Sequence, residues 1–196
     1  MFRRWFRRIA GVIAFASIAS AGFLLWIGRD LAAPAPAKIG PPPASYPAES
    51  VTLPGGGNTH VEGWLLRAPS TAAARGSVLL MHGIRSDRQS MVGRARFLSA
   101  LGYHTLCIDL QAHGESPGEH ITMGHLESQN AAAAVAWLQQ EFPGTPVAVI
   151  GSSLGGVAAL LAHYEHPPQA IVVEAVFADV STAVSNRLEM RFVTNR

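Results

Sequence analysis

With 196 residues, 48% of them hydrophobic and 14% charged, the chain has room for one core-forming domain plus something small, and wholesale disorder is excluded. The net charge of +2 hides an asymmetry: Arg3, Arg4, Arg7 and Arg8 supply +4, which leaves −2 for residues 9–196. Nucleic-acid binders concentrate basic charge on the folded domain, so that class of function is set aside. The single cysteine, Cys107, excludes an intrachain disulfide and, lying in an apolar run, reads as a small buried hydrophobe.

Ile9 to Ile27 is a run of 19 uncharged residues. As a helix rising about 1.5 Å per residue it spans close to the ~30 Å hydrocarbon core of a bilayer. Four arginines precede it and Arg29 follows, so the positive-inside rule keeps the N-terminus cytoplasmic and exports the remainder. Trp5 and Trp26 fall at the two interfaces. The competing reading is a signal peptide cleaved at Ala19-Ser20-Ala21 or Ala35-Pro36-Ala37, which would release a secreted domain. The apolar run exceeds the usual signal length of about 7–15 residues, which favours an uncleaved anchor over residues 1–30. Residues 31–48 hold Pro34, Pro36, Pro41, Pro42, Pro43 and Pro47 and read as a semi-rigid polyproline spacer. The folded domain is expected over residues 49–196.

Val61 to Leu66, after Gly55-Gly56-Gly57, reads as a strand in a hairpin with Val51 to Leu53. Ser77 to His82 is continuously apolar, the mark of a strand covered on both faces. Ser86 is the expected N-cap of a helix to Leu101, with Gln89 in the capping-box position and Gly102 at C′. His104 to Leu110 is the next buried strand, and Thr122 is expected to cap a helix to Phe142, stopped by Pro143-Gly144. Val147 to Gly151 is strand again, Gly155 to Glu165 a helix of small residues, and Ala170 to Val176 the last strand. This alternation predicts an α/β fold, a mostly parallel sheet with helices on both faces, and places its chemistry at the carboxyl ends of the strands.

Three loops stand at those ends. Gly151-Ser152-Ser153-Leu154-Gly155 joins a strand to a helix, and its spacing suits a sharp elbow that lifts the middle serine above the sheet. His82-Gly83-Ile84 follows a buried strand, and Asp109-Leu110-Gln111-Ala112-His113-Gly114-Glu115-Ser116 ends another. The last of these resembles the D-x-x-G-H-G-x-S loop of α/β-hydrolases, with Ala112 in place of the first glycine. Taken together, the three loops are similar to those of the α/β-hydrolase superfamily, nearest its serine aminopeptidase-like and esterase-like members, over about the 130 residues from Val51 to Val180.

The resemblance implies a serine hydrolase acting on esters, thioesters or amides through an acyl-enzyme. Ser153 would be the nucleophile, and the backbone amides of Ile84 and Leu154 would form the oxyanion hole. Asp109 would fix its loop as a hydrogen-bond acceptor, and His82 and His113 would be structural. No metal or organic cofactor is implied, and the partners expected are a small-molecule or peptide acyl substrate and, through residues 9–27, the membrane.

The superfamily orders its triad Ser, then Asp or Glu, then His. Downstream of Ser153 the only histidines are His163 and His166, which would lie at the far end of the helix that starts at the serine. Asp179 is the one acid after the last strand with a chance of joining a triad. The sequence therefore reads as a C-terminally incomplete hydrolase, inactive by itself. A membrane-tethered binding module on a hydrolase scaffold is the other reading. Ala170 to Val176 would form an apolar sheet edge prone to aggregation.

Overall fold

A computed structural model describes residues 2–57, 59–69, 74–179, 181, 182, 184–186 and 189. The chain divides into two units, Met1–Ala33 and Pro34–Arg196. The first is one helix, α1 (Phe2–Ala32). Its stretch Ala10–Ala32, 23 residues with no part buried, is long and apolar enough to cross a membrane.

In the second unit the elements run β1 (Ala35–Pro36), β2 (Glu49–Gly56), β3 (Thr59–Leu66), β4 (Gly76–Met81), α2 (Val92–Ala100), β5 (Tyr103–Ile108), β6 (His113–Gly114), α3 (Glu127–Glu141), β7 (Val147–Ser152), α4 (Leu154–Leu161) and β8 (Ala170–Glu174). Six strands form one sheet in the order β2-β3-β5-β4-β7-β8. The β2–β3 hairpin is antiparallel, β3 meets β5 antiparallel, and β5, β4, β7 and β8 are parallel. Strand β5 lies on one side of β4 and β7 on the other. Right-handed crossovers therefore put α2 on one face and α3 on the opposite one, and open a crevice beyond the carboxyl ends of β4 and β7. The α/β expectation is met, with the hairpin as the antiparallel part of the sheet.

Both faces of β4 are covered. Leu79 and Met81 join the cluster formed with Ala134, Val135, Leu138 and Ala158 of α3 and α4. Val78 and Leu80 join Met91, Ala95, Trp64 and Cys107 on the α2 side. The alternation explains why β4 reads as an unbroken apolar run.

The proline-rich segment is not a free spacer. The Ala35 and Ala37 N–H groups donate to the carbonyls of Ala112 and Gly114 at 2.8 Å, so β1 pairs in parallel with β6. Tyr46 is buried on the α2 side of the sheet, its ring 5.9 Å from that of Trp64. Proline removes donors from this segment, but the N–H groups of Ala35, Ala37, Ile39, Gly40 and Tyr46 between the prolines find acceptors.

Three helix boundaries also differ from expectation. The chain after Ser86 forms a short 3₁₀ turn, Arg88–Met91, capped by Asp87 and not by Ser86, before α2 begins at Val92. Asp87 is extended (φ −147°, ψ 179°), which breaks a helix begun at Ser86, and the Arg88 N–H that follows it donates to Asp109 Oδ1 at 2.7 Å. Helix α3 begins at Glu127, because Met123 and Gly124 adopt positive φ (53° and 110°) and break the turn that starts at Thr122. Helix α4 ends at Leu161, where Ala162 turns extended and the Tyr164 hydroxyl donates to the Ala159 carbonyl.

Strand β8 pairs with β7 alone among the described residues, and Ile171, Val172 and Val173 remain 39%, 49% and 39% exposed. An unprotected apolar edge templates association with other strands, and an edge lysine opposes it. Val172→Lys is therefore expected to lower the aggregated fraction of the chain in light scattering at equal concentration. Scattering equal to the unsubstituted chain would contradict the assignment of β8 as the sticking edge.

Candidate active site

Ser153 stands between β7 and α4 with φ +48° and ψ −111°, a conformation hostile to any residue with a Cβ. Its N–H donates to the Glu174 carbonyl at 2.7 Å and its carbonyl accepts from Val157 N at 3.0 Å, so the backbone is fixed on both sides of the bend. The flanking glycines are sterically required. A Cβ on Gly151 would lie 2.4 Å from the Gly155 backbone, and one on Gly155 would lie 2.5 Å from the Met81 carbonyl. Gly155→Ala would have to prise α4 from β4 and is expected to cost about 1–3 kcal/mol or more in denaturant melts. An unchanged midpoint would show that the elbow is looser than its contacts indicate.

The loop after β4 faces this elbow. A Cβ on Gly83 would sit 3.5 Å from Ser153 Cβ, and Gly155 N donates to the His82 carbonyl at 3.1 Å. Ile84 and Leu154, the expected oxyanion donors, are thus the neighbours in sequence of two residues brought together across the crevice. Ser153 is half-buried and is the N-cap of α4, whose N-terminal dipole favours developing negative charge.

His82 is fully buried and both ring nitrogens are occupied: Nε2 accepts from Leu110 N at 3.0 Å and Nδ1 donates to the Gly83 carbonyl at 2.7 Å. Burial depresses its pKa to about 3, so it stays neutral. His113 is buried beside it, ring centroids 5.1 Å apart, with Nδ1 donating to the Gln111 carbonyl and its pKa also lowered by burial. Both histidines are loop fasteners. Ala112, where the loop pattern has glycine, keeps the left-handed conformation at φ +59°.

Asp109 is fully buried and accepts from Arg88 N, the Arg88 guanidinium and Glu115 N. It fastens the loop, as the sequence suggested. The partners do not announce themselves in sequence: Arg88 is one base in a polar loop, and Glu115 occupies a variable position of the pattern. Glu127 was also missed. Fully buried, it accepts from Gln111 Nε2, Thr122 N, Thr122 Oγ1 and Gly124 N, tying the 120–126 loop to the 109–116 loop.

No hydrogen bond to the Ser153 hydroxyl occurs among the described residues. His163 and His166 are exposed and lie past the end of α4, one helix of about 12 Å from the serine. Asp179 caps a turn through the Thr182 N–H and hydroxyl, both at 2.8 Å, and those hydrogen bonds, the backbone one foremost, lower its pKa. The Glu174 carboxylate pairs with Arg94. Among the described residues no cluster of His, Cys, Asp and Glu suits a metal ion.

A doubly wound sheet with a strained serine elbow facing the loop after β4 defines an α/β-hydrolase. The sequence model of the serine aminopeptidase S33 family matches residues 72–195, and the chain belongs to that family. It is 30% identical over 152 residues to an uncharacterized Mycobacterium tuberculosis protein, covering 72% of this chain and 53% of that one. It is 28% identical over 99 residues to human monoglyceride lipase, covering 50% of this chain and 33% of the lipase. Among solved structures a Pyrococcus furiosus esterase superposes with a TM-score of 0.67 at 24% identity, over 82% of this chain and 63% of the esterase. The chain thus spans about half the length, or less, of these curated relatives.

Proposed function

We propose that this chain carries the nucleophile and oxyanion half of a membrane-anchored serine hydrolase acting on an ester, thioester or amide. The Ser153 hydroxyl attacks the acyl carbonyl and the leaving group departs from the tetrahedral intermediate. The amides of Ile84 and Leu154 receive the developing oxyanion. The observation that carries the reading is the positive φ of Ser153 inside a glycine-crowded elbow. Strain of that kind is retained where a side chain must be presented. The serine proton passes to a base oriented by an acid, and among the described residues neither is hydrogen-bonded to the Ser153 hydroxyl. Helix α1 is read as the anchor, with its arginine-rich end cytoplasmic and the domain exported. Neither nucleic acid nor a cofactor enters the scheme.

A hydrolase short of its base retains a residue of reactivity from the oxyanion hole. A fluorophosphonate probe is therefore expected to label the detergent-solubilised chain slowly, faster with imidazole added, and not at all in Ser153→Ala. Absence of labelling under all conditions would favour the second reading, a tethered interaction module, which fits a Ser153 hydroxyl without a hydrogen-bonded base among the described residues. The anchor is tested separately: carbonate-washed membranes are expected to retain the intact chain, and release of a shortened soluble form would overturn it.

A further inference from the structure

The loop that would supply the Ile84 amide, residues 83–87, runs directly into Arg88. That side chain is 2% exposed, with its guanidinium 5.0 Å over the Trp64 ring. It bonds the carboxylates of Asp109 and Glu115 and reaches the Gly40 carbonyl at 3.3 Å. The other oxygen of Glu115 accepts the N–H groups of Ile39 at 3.0 Å and Gly40 at 2.9 Å. Gly40 has φ +72°, a turn of the backbone that lets two successive amides converge on one anion. The proline-rich segment is therefore wired, through one carboxylate, to the arginine at the foot of the loop.

We propose that residues 34–48 are a built-in brace for the oxyanion loop and that Glu115 is the positioning residue through which the brace acts. The inference rests on the reading of Ile84 as an oxyanion donor. Glu115 fills a position that the D-x-x-G-H-G-x-S pattern leaves open, so folding of that loop does not require it. What it does is close the guanidinium between two carboxylates and lock the segment down. Asp109 alone still holds Arg88 when Glu115 is removed, so the domain persists while loop 83–88 gains freedom. An oxyanion hole works only when its donors are already in place, so freedom there reduces reactivity at Ser153.

The test compares the full chain in detergent with Glu115→Ala and Glu115→Gln by amide hydrogen exchange and by the rate of fluorophosphonate labelling. In Glu115→Ala, peptides spanning 83–91 are expected to exchange about tenfold faster or more, with β4 and β5 unchanged, and labelling to slow several-fold. Glu115→Gln keeps an oxygen for Ile39 and Gly40 and is expected to recover most of both. Unchanged exchange over 83–91 would overturn the brace, as would an equal rise in β4 and β5. A faster-exchanging loop with undiminished labelling would show that the brace does not position the donor. An unsubstituted chain that never labels would refute the hydrolase reading itself, and with it any catalytic purpose for the brace.

Discussion

Asp109→Ala is expected to destabilise the domain by about 3–5 kcal/mol, enough to leave much of it unfolded. The substitution removes the acceptor of three hydrogen bonds at once and strands the Arg88 guanidinium in a fully enclosed site. Breaking a buried ion pair on one side costs far more than the pair contributes, because the remaining charge keeps its desolvation penalty and loses its compensation. Glu115 moderates the loss by holding the other guanidinium nitrogen. Denaturant unfolding in detergent, followed by tryptophan fluorescence, measures it. A loss under about 1 kcal/mol would mean that the pair is open to water.

Ser153→Gly is expected to move stability the other way, raising it by about 1–2 kcal/mol. A residue with a Cβ at φ +48° and ψ −111° stores on the order of 1–3 kcal/mol of strain, and glycine relieves it. The gain is reduced by about 0.4–1 kcal/mol because glycine adds freedom to the unfolded chain. Ser153→Ala is the control: it loses the same hydroxyl but keeps the Cβ, so its stability should match that of the unsubstituted chain. A glycine variant no more stable than the alanine variant would show that the elbow is unstrained. Stability yielded to hold a hydroxyl in place is the pattern of a reactive site.

The parts of this architecture that sequence revealed are those where local chemistry and tertiary demand coincide. Strand β4 is apolar throughout because both its faces are covered, and Gly151 and Gly155 flank Ser153 because no side chain fits there. What stayed hidden depends on partners distant in sequence. Ser86 looks like an N-cap, yet Asp87 is extended and caps a 3₁₀ turn instead, whose first N–H reaches Asp109, 21 residues on, and the helix waits until Val92. Prolines 34–47 look like a spacer, yet Ala35, Ala37, Ile39 and Gly40 between them are bonded to the 112–115 loop. Glu127 lies in a helix like any surface acid, and only the fold shows four donors closing on it. The Ser153 elbow was legible, and the loop network that steadies its neighbourhood was not.

An experimental structure of the chain with a phosphonate bound to Ser153 tests the centre of the account most directly. The adduct's phosphoryl oxygen should lie about 2.7–3.1 Å from both Ile84 N and Leu154 N, with Ser153 still at positive φ. An oxygen turned to solvent, or a serine relaxed into an ordinary strand-to-helix turn, would contradict it.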